Sequence, residues 1–150
     1  MDKSFNYIIS PEISEIRRFT PKLKIGVLAS GKGTNFQELI NLSKDDNLDI
    51  DIRVLITNKG NAGCIKRAQA ANIPHKVIGT NAFPQKKLFE AEIISTLINF
   101  DVELIVMAGW MKIVSSIFVN KFKGKIINIH YKSFSFPIII FNYSTKNIII

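Results

Sequence analysis

Short apolar runs alternate with segments of helical spacing through the middle of the chain. Five runs have the length of strands, and several are β-branched and apolar on both faces, which is typical of buried parallel strands. They cover residues 23–29, 52–57, 76–79, 102–108 and 125–129. The segments between them with helical spacing are residues 35–43, 62–72, 85–100 and 115–121. This alternation predicts right-handed crossovers and a doubly wound α/β fold with a mostly parallel sheet.

The periodic body lies between two segments of different texture. We predict a polar leader at residues 1–22, an α/β domain at residues 23–130 and a divergent, non-native tail at residues 131–150. The tail consists almost wholly of Ile, Phe, Ser, Asn, Lys and Tyr, without the periodicity of a helix or of a two-faced strand. Because its isoleucine-rich runs are β-prone and uncharged, we expect the chain to aggregate.

Composition narrows the class of protein. With 150 residues, 47% of them hydrophobic, the chain has the size and composition of one globular domain. Its single cysteine, Cys64, cannot form an internal disulfide, and the sequence contains neither a signal-peptide pattern nor a run of about 18 apolar residues. We therefore expect a cytoplasmic protein that does not enter the membrane.

The positive charge is concentrated at one end of the chain. Of the net +8, most comes from residues 104–150, which contain six lysines and no acid. The rest of the chain is nearly neutral, and aromatic residues are not interleaved with arginines as in many nucleic-acid surfaces. We predict that these lysines serve solvation and that nucleic acid is not a partner.

The glycine loop, residues 30–35, follows the first predicted strand and opens the first predicted helix. Ligands of doubly wound proteins bind beyond the carboxyl ends of the strands, which is where this loop lies. Its two glycines let backbone N–H groups approach an oxyanion, the helix amino terminus adds a partial positive charge, and Thr34 and Asn35 supply further hydrogen bonds. The loop predicts a phosphate site, with a tight strand-to-helix turn as the alternative.

Two better-known phosphate loops fit this segment less well. A Walker A motif would begin at Gly26 and include Lys32, but Gly33 stands where a Ser or Thr should hold magnesium. The dinucleotide fingerprint G-x-G-x-x-G would begin at Gly31, but Phe36 occupies its third glycine position. These departures argue against a P-loop nucleotide hydrolase and weaken the case for a dinucleotide site.

Large apolar side chains occupy the apolar loop, residues 109–114, which follows the fourth predicted strand. Its backbone groups are able to read the edge of a flat heterocycle while Met111 and Ile113 pack on the faces of that ring. Core packing of the same side chains is the alternative.

Two polar residues end the fifth predicted strand. Asn128 and His130 are two positions apart and therefore point to the same side. An amide beside an imidazole can stabilise a developing oxyanion and pass protons, as acyl or formyl transfer to an amine requires. A structural role for the pair is the alternative, and we expect His75 to be a surface or packing histidine.

Three motifs together resemble the phosphoribosylglycinamide formyltransferase (glycinamide ribonucleotide transformylase) family in type, order and spacing. They are SGKGTN at residues 30–35, AGWMKIV at residues 108–114 and INIH at residues 127–130. The resemblance runs from about Leu23 to His130 and implies a Rossmann-like formyltransferase fold. It also implies transfer of a formyl group from 10-formyltetrahydrofolate to the amine of glycinamide ribonucleotide in de novo purine biosynthesis, without a metal.

The resemblance assigns roles to particular residues. It implies that the ribonucleotide phosphate is held by Gly33, Thr34 and Asn35. It implies a folate site formed by Lys86, Met111, Lys112, Ile113, Val114 and Asn128. His130 would donate a proton while Asn128 steadies the formyl oxygen.

The sequence departs from the family just after His130. The family continues with Pro-Ser-Leu-Leu-Pro and supplies an aspartate further on, whereas Tyr131 follows here and Glu103 is the last carboxylate side chain. We expect a frameshift or early stop, a fold incomplete at its carboxyl-terminal end and doubtful activity. The alternatives are a non-catalytic phosphate-binding or nucleotide-binding remnant and another folate-dependent formyltransferase or deformylase, although the glycine loop disfavours the latter.

Overall fold

Strands and helices alternate along the chain as the hydrophobic pattern predicts. The computed structural model describes residues 20–44, 48–129, 140–142 and 148–149. Its strands are β1 (Leu23–Leu28), β2 (Ile50–Thr57), β3 (His75–Val77), β4 (Leu104–Ala108), β5 (Ile126–Ile129), β6 (Ile140–Asn142) and β7 (Ile148–Ile149). Its α-helices are α1 (Thr34–Lys44), α2 (Gly63–Ala70), α3 (Lys86–Asn99) and α4 (Ser116–Lys121), and a short 3-10 helix covers Thr80–Ala82.

The strands form one sheet in the order β3-β2-β1-β4-β5-β6-β7. The pairs from β3 to β5 are parallel, and the chain moves outward from β1 in one direction through β2 and β3 and in the other through β4 and β5. β1 and β4 are therefore neighbours at the point where the strand order reverses. In open α/β sheets the crevice for ligands lies at the carboxyl ends of such strands.

Two hydrophobic cores cover the two faces of the sheet. On one face Phe36 and Ile40 of α1 pack with Cys64 and Ala68 of α2. On the other face lie the buried side chains of α3 and α4, with Phe118 fully buried among them. Alternate residues of the strands enter one core or the other, because successive side chains of a strand point to opposite faces. The predicted doubly wound α/β fold is confirmed.

The edge strand β3 differs from its prediction. We expected a buried strand at residues 76–79, but the strand covers His75–Val77 and all three residues are exposed. Its outer side has no strand beside it in the part of the chain that the structure describes, so it has no second neighbour to bury it. His75 is exposed, so of the two roles that we expected for it, surface or packing, the surface role is the correct one.

The tail contains two strands that the hydrophobic pattern did not predict. β6 pairs antiparallel with β5, with Asn128 opposite Phe141, and β7 pairs antiparallel with β6. An unbroken isoleucine run has no alternation to reveal a strand, although it has strong β propensity. Within the described ranges, no helix is long and apolar enough to cross a membrane.

Candidate functional site

The glycine loop and the apolar loop meet at the switch point between β1 and β4. The Ser30 N–H donates to the carbonyl of Gly109 (N···O 3.2 Å), and the Met111 N–H donates to Ser30 Oγ (3.0 Å). Ser30 is only 1% exposed, so these two bonds lie inside the protein and join the loops directly. Sequence analysis did not single out Ser30 for this joining role, because its partners are about 80 residues away.

The glycine loop forms a small cradle at the start of α1. Gly33 has a φ of +72° and the Gln37 N–H donates to its carbonyl (2.9 Å), which is the first hydrogen bond of the helix. A cavity of about 170 Å³ lies over the loop. It is lined by Gly31, Lys32, Gly33, Thr34, Asn35, Ala108, Gly109 and Met111. The predicted phosphate residues therefore face one cavity at a helix amino terminus, where backbone N–H groups favour anions.

The first turn of α2 packs closely beneath this loop. A Cβ atom on Gly33 would lie 2.6 Å from Cys64 Cβ, and one on Gly63 would lie 3.2 Å from Lys32 Cα. The Cys64 N–H donates to the carbonyl of Gly31 (3.1 Å). Burial raises the pKa of the Cys64 thiol, so the side chain stays protonated and packs as a small apolar group rather than acting as a nucleophile.

Two larger cavities flank the apolar loop. One of about 430 Å³ is bounded by α3 and the loop and includes Lys86 and Lys112 in its lining. The other, of about 300 Å³, includes Val114 and Asn128. Both are lined by Met111, Lys112 and Ile113, and the exposed fractions of Met111 and Ile113 are 69% and 85%. All the predicted folate residues thus line one or both of these cavities.

Trp110 behaves differently from its neighbours in the apolar loop. It is 7% exposed and stacks on Phe89 of α3 (centroids 6.4 Å apart, planes at 7°), and Phe89 also contacts the edge of Phe83 (6.1 Å). Core packing is therefore the correct interpretation for Trp110. It is wrong for Met111 and Ile113, whose side chains project into the cavities and the solvent.

A buried carboxylate holds the far end of the apolar loop. Glu90 of α3 is 5% exposed and accepts hydrogen bonds from the Ser115 N–H (2.7 Å) and from the Ser115 hydroxyl. Ser115 Oγ in turn accepts from the Phe118 N–H and caps α4. Lys86 lies 3.9 Å from Glu90, one helical turn earlier on α3. The sequence analysis did not identify Glu90 as a functional residue. Its position on the same face of α3 as the apolar Ile93 and Leu97 could have indicated that its carboxylate is buried.

Asn128 lies at the edge of the 300 Å³ cavity. It pairs in the sheet with Met107 of β4, and both residues line that cavity. The predicted partner of Asn128, His130, lies outside the described residues, so their shared side remains a prediction. Among the described residues, no group of three or more His, Cys, Asp or Glu side chains comes together as metal ligands.

Comparison with known proteins places the chain in a family. The sequence profile of the formyl transferase family matches residues 23–134. The trifunctional purine biosynthetic protein adenosine-3 of Chironomus tentans is 40% identical over 112 residues, which are 73% of this chain and 8% of that protein. The phosphoribosylglycinamide formyltransferase of Bacillus subtilis (strain 168) is 37% identical over 107 residues, 71% of this chain and 55% of that protein.

The fold has the same relatives. The crystal structure of glycinamide ribonucleotide transformylase 1 from Geobacillus kaustophilus superposes with a TM-score of 0.70 at 33% identity, covering 73% of this chain and 58% of that one. The chain thus spans about half the length of the single-activity relatives that it matches. Because the profile match covers most of the chain, including both loops and the strand β5 that contains Asn128, the chain belongs to the formyl transferase family.

Proposed function

We propose that this chain forms the substrate-binding part of a phosphoribosylglycinamide formyltransferase, which transfers a formyl group from 10-formyltetrahydrofolate to the amine of glycinamide ribonucleotide. One observation carries the proposal: Met111 lines the phosphate cradle and both cavities of the apolar loop. A reaction between a phosphorylated substrate and a flat, apolar donor needs two such sites side by side. The similar phosphoribosylglycinamide formyltransferase of Bacillus subtilis supports the assignment.

The phosphate end of the ribonucleotide occupies the glycine loop in this proposal. Gly33, Thr34 and Asn35 line the small cavity at the start of α1, where unpaired backbone N–H groups attract an oxyanion. The positive φ of Gly33 bends the backbone into the cradle at no steric cost to glycine. The loop therefore binds through backbone geometry more than through side-chain charge.

The cavities of the apolar loop have the size and chemistry for a folate. Ligand sites in proteins commonly measure about 300–1,000 Å³ and combine apolar walls with a few polar groups. Here Met111, Ile113 and Val114 provide the apolar walls for a ring, and Asn128 provides the amide. The ammonium groups of Lys86 and Lys112 suit the carboxylates at the other end of the donor.

Formyl transfer requires the protein to stabilise a developing charge and to assist a proton transfer. Charge grows on the formyl oxygen as the amine bonds to the formyl carbon, and a proton must pass from the amine to the nitrogen that leaves. The Asn128 amide donates a hydrogen bond to that oxygen. The protonated His130 gives a proton to the leaving nitrogen, and the neutral imidazole then takes the proton that the amine gives up. Asn128 and Met111 line one cavity, and Met111 also lines the phosphate cradle, which supports a reacting carbon between the two substrate sites.

One feature favours a second candidate, a module that binds phosphate without transferring formyl. The resemblance places an aspartate downstream of the histidine, where an anion favours the protonated imidazole. Residues 104–150 contain no carboxylate side chain, so this segment offers the imidazole no such anion. Substrate binding without formyl transfer is therefore the alternative to test.

Calorimetry and a transfer assay on the same 150-residue protein separate the candidates. We expect heat on titration with glycinamide ribonucleotide and slow formyl transfer when 10-formyltetrahydrofolate is added. His130→Ala should abolish transfer and leave binding intact, whereas His75→Ala, at an exposed edge strand, should change neither. Binding without any transfer would indicate the module, and formate release without the ribonucleotide would indicate a deformylase. Absence of binding to either substrate would contradict the proposal.

A further inference from the structure

We propose that Arg67 is the positioning residue of the phosphate cradle. It lies on α2, behind the glycine loop, and holds the loop so that the N–H groups of Lys32 and Gly33 face the cavity. The inference deepens the proposed function, because it rests on the assignment of this cavity to phosphate.

Two loop carbonyls are turned toward α2. Arg67 Nε donates to the carbonyl of Lys32 (2.8 Å), and the Cys64 N–H donates to the carbonyl of Gly31 (3.1 Å). In a trans peptide the N–H points opposite to the C=O of the same plane. The N–H groups of Lys32 and Gly33, which share those planes, therefore point away from α2.

The cavity lies on the side to which those N–H groups point. Among the described residues its lining comes from the glycine loop, Ala108, Gly109 and Met111, and none of it from α2. Two consecutive N–H groups aimed into one concavity form an anion-binding nest. Arg67 thus acts on the ligand through the backbone and from the side opposite to it.

A second bond from the same guanidinium joins the loop to α1. Arg67 Nη1 donates to Gln37 Oε1 (3.1 Å), while the Gln37 N–H donates to the carbonyl of Gly33 (2.9 Å). The planar fork of arginine can hold both acceptors at a fixed angle, which the single ammonium of lysine cannot do. Arg67 therefore fixes the cradle relative to the first turn of α1 that completes it.

The chain offers a matched control in Arg53. Its Nε also donates to a backbone carbonyl, that of Phe100 (3.2 Å), and its Nη1 also donates to a side-chain oxygen, that of Asp51 (3.2 Å). Arg53 lies in the first half of β2, and Phe100 follows α3 before β4, so these contacts are at the amino-terminal end of the strands. Loss of Arg53 removes comparable bonds far from the cradle.

The test is an NMR titration of the 15N-labelled 150-residue protein with inorganic phosphate. In the wild type, the amide signals of Lys32 and Gly33 should shift together and saturate. Arg67→Gln should weaken phosphate binding by about tenfold, as expected when a charged hydrogen bond is lost, while Arg53→Gln should bind as the wild type does. Arg67→Lys, which keeps the charge but not the fork, should also bind more weakly.

Each outcome decides the inference. Equal binding by Arg67→Gln and Arg53→Gln would overturn it, as would a wild type whose Lys32 and Gly33 amides do not respond to phosphate. Wild-type affinity in Arg67→Lys would assign the effect to charge rather than to position and would also overturn it; this variant decides alone if Arg67→Gln does not fold. Phosphate shifts without formyl transfer would count against the proposed function and leave the role of Arg67 standing.

Discussion

The two loops at the switch point are built in opposite ways. The glycine loop is fixed through its backbone: its carbonyls are held by α2, and Gly33 fits against Cys64 with no room for a side chain. The apolar loop is fixed by Ser30 at Gly109 and Met111 and by Glu90 at Ser115, just after the loop, while the side chains of Met111 and Ile113 are exposed. One loop presents main-chain groups to a ligand and the other presents side chains.

This difference suits the two kinds of ligand that we propose. An oxyanion is small and charged, so it is recognised by a few N–H groups whose directions must not change. A flat ring needs apolar area, and exposed methionine and isoleucine side chains supply area while tolerating movement. We therefore expect the glycine loop to be sensitive to any change of shape, and the apolar loop to be sensitive to loss of area.

The largest effect should come from Gly33→Ala. The new Cβ would meet Cys64 Cβ at 2.6 Å and Cys64 Cα at 2.8 Å, and the backbone φ of +72° is unfavourable for alanine. Strain and overpacking together should lower the free energy of unfolding by about 3 kcal/mol and abolish phosphate binding. Urea denaturation measures the first effect and titration with inorganic phosphate the second.

Gly31→Ala is the matched control, since a Cβ there has nothing within 4 Å. It should leave the free energy of unfolding within about 0.5 kcal/mol of the wild type. If Gly33→Ala were as stable as Gly31→Ala, the inference that α2 packs too closely under the loop to admit a side chain at position 33 would be wrong.

The sequence predicted the glycine loop but not what supports it. Glycines beside polar residues at a strand-to-helix junction are a local pattern, and the conformation that they allow is local too. Arg67 and Cys64 contact the loop only because two crossovers bring α2 beside α1. A contact between residues so far apart in the sequence cannot be predicted from local residue spacing. The fold could be predicted for the same local reason, because the periodicity of each segment determines its type.

The apolar loop shows where residue type alone fails. Trp110, Met111 and Ile113 are all large and apolar, yet Trp110 is buried and the other two are exposed. The difference depends on Phe89, which stacks on Trp110 from a separate helix. The edge position of β3 was missed for a similar reason. A short apolar run has the same sequence pattern whether its strand has one neighbouring strand in the sheet or two.

A smaller effect should come from Glu90→Ala. This change leaves the Ser115 N–H and hydroxyl without their buried acceptor, which should lower the free energy of unfolding by about 2 kcal/mol. It should also weaken folate binding, because Glu90 no longer holds Ser115 at the carboxyl-terminal end of the apolar loop. Thermal unfolding with and without 10-formyltetrahydrofolate measures both quantities.

Glu92→Ala provides the control on the same helix. Glu92 pairs with Lys76 (2.5 Å) in a half-exposed ion pair, so its loss should cost less than about 1 kcal/mol and leave folate binding unchanged. Equal destabilisation by the two substitutions would show that Glu90 contributes no more than a surface ion pair does.

The smallest effect on stability, and the sharpest distinction between the loops, should come from Ile113→Ser. Ile113 is 85% exposed, so the free energy of unfolding should change by less than about 0.5 kcal/mol. Affinity for 10-formyltetrahydrofolate should fall by about fivefold to tenfold as apolar contact area is lost, while phosphate affinity stays constant. The fluorescence of Trp110, the single tryptophan, can follow the titration because Trp110 lines the same cavity. Ile98→Ser, on an exposed part of α3 that lines neither apolar-loop cavity, should leave both affinities unchanged. If Ile98→Ser weakened folate binding as much as Ile113→Ser, the exposed side chain of the apolar loop would have no special part in that site.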